Sequence, residues 1–315
     1  MNRRDFVVLA AAAVAFPARA QQTRMRHVGV LTHLPNPEPI WGYFREGLRD
    51  LGYVENRNIR LEYRSANGSV SRLPELAAEL LRTNVELIVG IQTPSVEAAS
   101  RATKHVPIVM LAAADPVAAG FVKTLSHPGG NITGVTTATA ELAGKSVQIM
   151  RELVPSVKRI TVLLNMADPF NKPFSEQVEL SAKVLGIRLT TIRTRAEELP
   201  AAVAAIAKDR PDALVIQPSL PTTAAAFAMN ERIPAAASST LFADSGVLFS
   251  YSANAADFSR KAATYVDRIL RGAKPADLPV EQPTKFDFIV SQKAARSLGI
   301  TLPQSVVLRA DKVIE

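Results

Sequence analysis

The sequence predicts an α/β protein of two doubly wound lobes, each built on a parallel sheet and joined to the other by three crossing segments. Three observations predict it. Between Val85 and Gly120 the apolar run VELIVGI stops at Gln92-Thr93-Pro94-Ser95, and VPIVML restarts after an alanine-rich stretch and stops at Asp115-Pro116. Runs rich in β-branched residues that end at Pro and small polar residues read as buried parallel strands of a βαβ unit. The same order of elements then recurs later in the chain. Finally, 315 residues at 47% hydrophobic exceed one comfortable core.

Taken in order, the chain opens with the strand HVGVLTH and the Pro-rich loop LPNPEP. A helix follows in which Ile40, Phe44, Leu48 and Leu51 share one face, and Gly52 is placed to cap it. NIRLEYR is the second strand, and Leu73-Pro74 starts a helix, Pro being suited to a first turn. That helix leads into VELIVGI. The second half repeats the plan as strand RITVLLN, loop ADPFNKP, a helix to Leu185-Gly186, strand IRLTTIR, a helix from Leu199-Pro200 and strand ALVIQPS, which ends at Gln217-Pro218-Ser219. Matching landmarks lie roughly 130 residues apart, far beyond the period of a solenoid.

Between the halves, HPGGNITGVTTAT reads as a tight turn and a crossing. FADSGVLFSYSAN reads as loop, strand and second crossing, and a helix from Ala255 to Gly272 carries Phe258, Ala262, Tyr265, Ile269 and Leu270 on one face. PADLPVEQPTKFDFIV reads as a third, extended connection, followed by the helix SQKAARSLG and a short tail. The expected lobes are therefore residues 27–137 with 253–282, and residues 138–252 with 283–315.

Residues 1–20 stand outside the fold. MNRRDF, the apolar VVLAAAAVAF and Ala18-Arg19-Ala20 form the charged, apolar and cleavage regions of a signal peptide cut after Ala20. Arg3-Arg4 with Phe6 resembles a twin-arginine signal, although no Ser precedes the pair. The apolar stretch is shorter than the roughly 20 residues that span a bilayer. Removing Arg3, Arg4, Arg19 and Asp5 takes two units from the formal charge of +8, and the remaining charges are scattered, which argues against a nucleic-acid partner. The chain has no Cys, and so no disulfide, thiolate metal site or lipidated cysteine.

No motif asks for catalysis. HPGGNITG is neither G-x-G-x-x-G nor a Walker A loop, and no G-x-S-x-G elbow is present. His27, His33, His105 and His127 lack metal-ligand spacing. The expectation is a non-enzyme without cofactor or metal. Open α/β sheets bind ligands at the carboxyl ends of their strands, where helix N-termini meet anions. Thr93, Ser95 and Asp115 are the first candidates on that ground; the plainer alternative is that the first two cap a helix and Asp115 serves a turn. The duplication pairs their loop with Gln217-Pro218-Ser219 across a cleft.

The segments FREGLRDLGYVENRNIRLEYR, DPVAAGFVKTLSHPGGNITGVT, RELVP and LPVEQPTKFDFIVSQKAARSLGITLP, together with the leader and HVGVLTH, resemble ABC transporter substrate-binding proteins, including TrpX-like binders of aromatic amino acids. The resemblance runs through nearly the whole chain. It implies a type I periplasmic binding protein: a periplasmic monomer that closes on a small solute such as an amino acid and serves a membrane permease, or alternatively a binding subunit of a signalling receptor. Carried over by position, it implies a cleft lined by Asn36, Thr93, Pro94, Ser95, Asp115, Pro116, Thr136 and Thr137 from the first lobe. The second lobe adds Asn165, Asp168, Phe170, Gln217, Ser219 and Tyr251. Hydroxyls and N–H groups around Thr93 and Ser95 would hold a carboxylate, Asp115 or Asp168 an ammonium, and Phe170 or Tyr251 an apolar side chain, with ordinary packing the alternative for the two rings.

Overall fold

The computed structural model describes residues 24–315; the expected leader lies outside the described residues. Strands β1 (Arg26–Thr32), β2 (Ile59–Ser65), β3 (Leu87–Ile91), β4 (Ile108–Ala113) and β5 (Ile132–Thr136) form a parallel sheet in the order β2-β1-β3-β4-β5. Alternate side chains go to opposite faces. Leu87, Val89 and Ile91 join the core beneath α1 (Ile40–Asp50) and α8 (Ala255–Leu270), while Ile88 joins the core beneath α2 (Leu73–Arg82) and α3 (Thr93–Ala102). Both faces are buried, which is why these strands read as unbroken apolar runs.

On α1, Ile40, Phe44 and Leu48 are buried as the periodicity requires, while Leu51 falls just past the helix and is partly exposed. Gly47 lets α1 approach α8, since a Cβ there would stand 2.9 Å from the Cβ of Ala263.

The second lobe holds β6 (Arg159–Asn165), β7 (Arg188–Thr194), β8 (Ala213–Ile216), β9 (Ala235–Ala237), β10 (Phe249–Ala253), β11 (Phe286–Ser291) and β12 (Lys312–Ile314), in the order β12-β11-β10-β9-β8-β6-β7. Its first five strands in the chain, β6 to β10, repeat the order of the first lobe. β11 then runs antiparallel to β10, and β12 parallel to β11. One face is covered by α4 (Thr139–Leu153) and α5 (Asn171–Val184), with side chains of α9 (Gln292–Leu298) and α10 (Gln304–Arg309) joining that core. The other face is covered by α6 (Leu199–Asp209) and α7 (Thr223–Asn230).

Four local expectations are corrected. The Gly- and Thr-rich stretch before the first crossing contains β5, buried along its length. Gly134 permits this: at φ +131° it passes so close to β4 that a Cβ would lie 2.4 Å from the Met110 carbonyl oxygen. Part of ADPFNKP is helix, with Pro173 tolerated because it falls in the first turn of α5. α7 and the all-alanine β9 occupy a stretch left unassigned from sequence. The tail adds α10 and β12.

The chain passes between the lobes from β5 to α4, from β10 to α8 and through residues 282–285 into β11. The second and third passages are tied together at Asn254. Its Oδ1 accepts from Asp257 N at 2.8 Å to cap α8, its Nδ2 donates to Asp287 Oδ1 at 2.8 Å, and its backbone N–H donates to the Lys285 carbonyl at 2.9 Å.

Candidate functional site

A cleft of about 530 Å³, open mouth included, lies between the lobes at the carboxyl ends of both sheets. The first lobe contributes Gln92 and Thr93 from the β3–α3 junction, Ala112 and Ala114 from the end of β4, and Thr137 after β5. The second lobe contributes Asp168 and Phe170 after β6, Gln217 and Ser219 after β8, a Ser238-Ser239-Thr240 row after β9, and Ser252 on β10. Ile40, Ala253 and Phe258 complete an apolar part of the wall.

The backbone is strained where the first lobe's strands end. Gln92 has φ +65° and ψ 164°, Ala112 has φ +65° at an irregularity between Leu111 and Ala113, and Ala138 has φ +50°. A non-glycine residue in such a conformation costs on the order of 1–3 kcal/mol and persists only where its surroundings enforce it. Here the surroundings are cross-links between strand ends. Thr93 Oγ1 accepts from Ala114 N at 3.0 Å, Thr136 Oγ1 donates to the Ala114 carbonyl at 3.2 Å, and Thr137 N donates to the Ala113 carbonyl at 3.0 Å. Thr93 is the first residue of α3, whose first-turn N–H groups give the cleft a partly positive wall.

The second lobe supplies the charge. Among the described residues, Asp168 is the one ionisable side chain lining the cleft, and it is 4% exposed. Its Oδ1 accepts from Phe170 N at 2.9 Å and its Oδ2 from Gln217 Nε2 at 2.8 Å. Burial pushes its pKa up to about 6, and these hydrogen bonds, with one from Ser219, restrain the rise. Gln217 is oriented in turn, because its Oε1 accepts from Asn165 N at 2.9 Å. Asn165 Nδ2 donates to the Ser219 carbonyl at 3.1 Å, so Asn165 braces the cleft from behind. Two buried polar atoms in the wall have no partner among the described residues: Gln92 Oε1 and Ser252 Oγ.

The cleft thus gathers Thr93, Thr137, Asp168, Phe170, Gln217 and Ser219 from the residues expected of it, with Asn165 immediately behind. The others stand elsewhere for identifiable reasons. Asn36 Oδ1 accepts from Glu38 N at 3.2 Å in an exposed turn, and Asp115 Oδ1 accepts from Val117 N at 3.2 Å and Ala118 N at 3.0 Å. Both side chains close local Asx turns. Pro116 and Thr136 line a separate hollow by the hinge, and Pro94 lines an outer groove with α2. Ser95 is buried in the first turn of α3 outside the cleft. Tyr251 stacks on Phe286 at 6.1 Å and packs on Phe288 at 5.9 Å, the ordinary packing alternative.

Sequence reasoning missed Gln92, Ala112, Ala114, Thr139, the Ser238-Ser239-Thr240 row and Ser252. The row follows AAA, which suits helix and strand equally and places no strand end there until β9 is known. Ser252 was detectable, standing one residue from Tyr251 on the opposite face of the same strand.

The model of the family described as ABC transporter substrate binding protein matches residues 28–314. A tyrosine-binding protein of Clostridioides difficile is 26% identical over 290 residues, 90% of this chain and 83% of that one. A Streptococcus domain crystallised with L-Trp is 28% identical and superposes with a TM-score of 0.84 over 92% of this chain and 99% of its own. A conserved domain protein of Vibrio cholerae, also 28% identical, superposes with a TM-score of 0.83 over 91% and 99%. Two parallel-dominated α/β lobes enclosing a cleft at their strand ends are the type I periplasmic binding protein fold. With a match spanning both lobes and all three passages, the chain belongs to the family of ABC transporter substrate-binding proteins.

Proposed function

We propose that this protein is the exported solute-binding component of an ABC importer and that it closes on an α-amino acid, with L-tyrosine and L-tryptophan the first candidates. The observation that supports the reading is the buried Asp168 carboxylate facing a cleft otherwise lined by hydroxyl, amide and apolar groups. A buried carboxylate with no cation is costly, and a ligand ammonium removes that cost. The ligand carboxylate would lie toward the first turn of α3 and the Thr93 and Thr137 hydroxyls, where N–H groups and the helix dipole favour negative charge. Phe170, Phe258 and Ile40 supply apolar surface for the rest of the molecule. The names of the two relatives, one binding tyrosine and one crystallised with L-Trp, support the aromatic choice.

In this reading, the leader directs the chain to the periplasm and is removed after Ala20, the ligand draws the lobes together, and the closed form is delivered to a membrane permease. Calorimetry of the purified protein against the common L-amino acids tests it. Saturable heat with L-tyrosine or L-tryptophan is expected, together with a rise in melting temperature; no heat and no shift with any amino acid would refute it.

A further inference from the structure

Among the described residues, one hydrogen bond joins the lobes away from the three passages, and no ion pair does. It runs from His33 Nε2, at the end of β1, to the backbone carbonyl of Ser219 in the second lobe, at 3.3 Å. His33 is 2% exposed and its Nδ1 is buried without a partner. The ring does not line the cleft. From this geometry we infer that His33 is a positioning residue for ligand binding: in its neutral form it latches the closed lobes, and it releases them when it takes up a proton.

Only one form of the ring fits. The neutral tautomer with hydrogen on Nε2 donates to Ser219 and leaves Nδ1 a bare acceptor, a modest loss. The imidazolium would carry a second N–H with no acceptor and a charge with no counter-ion. Burial accordingly holds the pKa down at about 4, against the Ser219 hydrogen bond, which raises it by a smaller amount. With the lobes apart the ring meets water and takes the ordinary value of about 6.5. The closed form therefore binds fewer protons through His33. Closure by this group is favoured above about pH 6.5 and is lost as pH falls toward 4. Asp168, connected to His33 through Ser219, Asn165 and Gln217, titrates on closure as well, its pKa raised by burial and, to a smaller extent, by Glu97 of α3 in the first lobe. Its pKa of about 6 acts in the opposite direction in the empty protein, so the histidine contribution must be isolated by comparison.

The latch rests on the reading of this protein as a closing receptor but not on the identity of the ligand, and the experiment keeps the two apart. The chain has no Cys, so a fluorophore pair on cysteines introduced at exposed Arg101 and Lys172 reports the distance between lobes. The closing equilibrium is followed from pH 7.5 to 5.5 in ligand-free protein and His33→Gln, and again with L-tyrosine and L-tryptophan. Gln offers an amide N–H to Ser219 but does not titrate. The closing constant of the variant relative to the unsubstituted protein should rise about tenfold over that range. A ratio independent of pH, whatever its size, means a merely structural role and overturns the proposal. Should the variant fail to fold, NMR titration of the four histidines in the unsubstituted protein decides instead: one ring must stay neutral well below pH 6 in the closed form, and four ordinary titrations overturn the latch. Failure of both amino acids to bind, with the pH-dependent ratio intact, refutes the ligand assignment and leaves the latch standing.

Discussion

Gln217 Nε2 donates to Asp168 Oδ2 at 2.8 Å, joining the ends of two neighbouring strands and fixing the carboxylate within the cleft. An acid held this way cannot swing out to water to relieve its burial. In the proposed reading the relief comes from the ammonium of the ligand, and affinity depends heavily on this carboxylate.

Asp168→Asn should weaken amino-acid binding by about 2–5 kcal/mol, the usual cost of removing one partner of a desolvated charge pair. Titration calorimetry reads the loss directly. Affinity within tenfold of the unsubstituted protein would show that the ammonium is held elsewhere.

The same residue gives the ligand-free protein a pH dependence of definite sign. Its folded pKa of about 6 lies above the ordinary 3.8, so the folded state holds the proton more tightly than the unfolded one. That contribution is fully favourable below about pH 3.8 and declines as pH rises through about 6. Urea unfolding of the unsubstituted protein and Asp168→Asn at pH 4 and pH 7.5 should show the difference between them moving in favour of Asn by about 2 kcal/mol. A difference unaffected by pH would mean that the carboxyl is not desolvated.

Gly134→Ala should abolish folding or cost at least about 3 kcal/mol, because the added carbon would lie 2.4 Å from the Met110 carbonyl oxygen and the residue has φ +131°. Gly130→Ala, four residues earlier with open space around it, should stay within about 0.5 kcal/mol. Soluble yield and urea midpoints of the two variants make the comparison.

Asn254→Ala removes the cap of α8 and the link to Asp287 together. A loss of about 1–2 kcal/mol is expected from the cap alone. Asn254→Asp keeps the cap but sets a second carboxylate against Asp287, and it should regain stability as pH is lowered and the pair is neutralised. Thermal melts of both variants between pH 4 and 7.5 provide the check.

The architecture was legible because buried parallel strands and one-sided helices leave strong periodic marks. VELIVGI and ALVIQPS declare two-sided burial, and Ile40, Phe44 and Leu48 declare a helix face. β9 was not legible because three alanines suit helix or strand equally, and β12 because one exposed and two half-buried residues carry no pattern. At the cleft, position along a strand told which loops meet but not which side chains turn inward. Asp115 and Asp168 both follow a strand and precede a helix. Asp115 spends its oxygen on its own turn, whereas Asp168 keeps one oxygen for Gln217, a partner contributed by a loop distant in sequence. Local sequence does not distinguish the two fates.

The placement of α8 has a consequence in time. This helix covers the face of α1 and the first sheet with Phe258, Ala262 and Tyr265, yet it is synthesised after β6 to β10 of the other lobe. While the chain is emerging from the ribosome, Phe44 and Leu48 can meet the first sheet but lack α8 until Leu270 has appeared. The usual succession of N-terminal unit first, C-terminal unit second is therefore closed to this protein. The core of the first lobe is complete only once α8 has emerged, and a chain halted before Ala255 lacks the helix that covers α1.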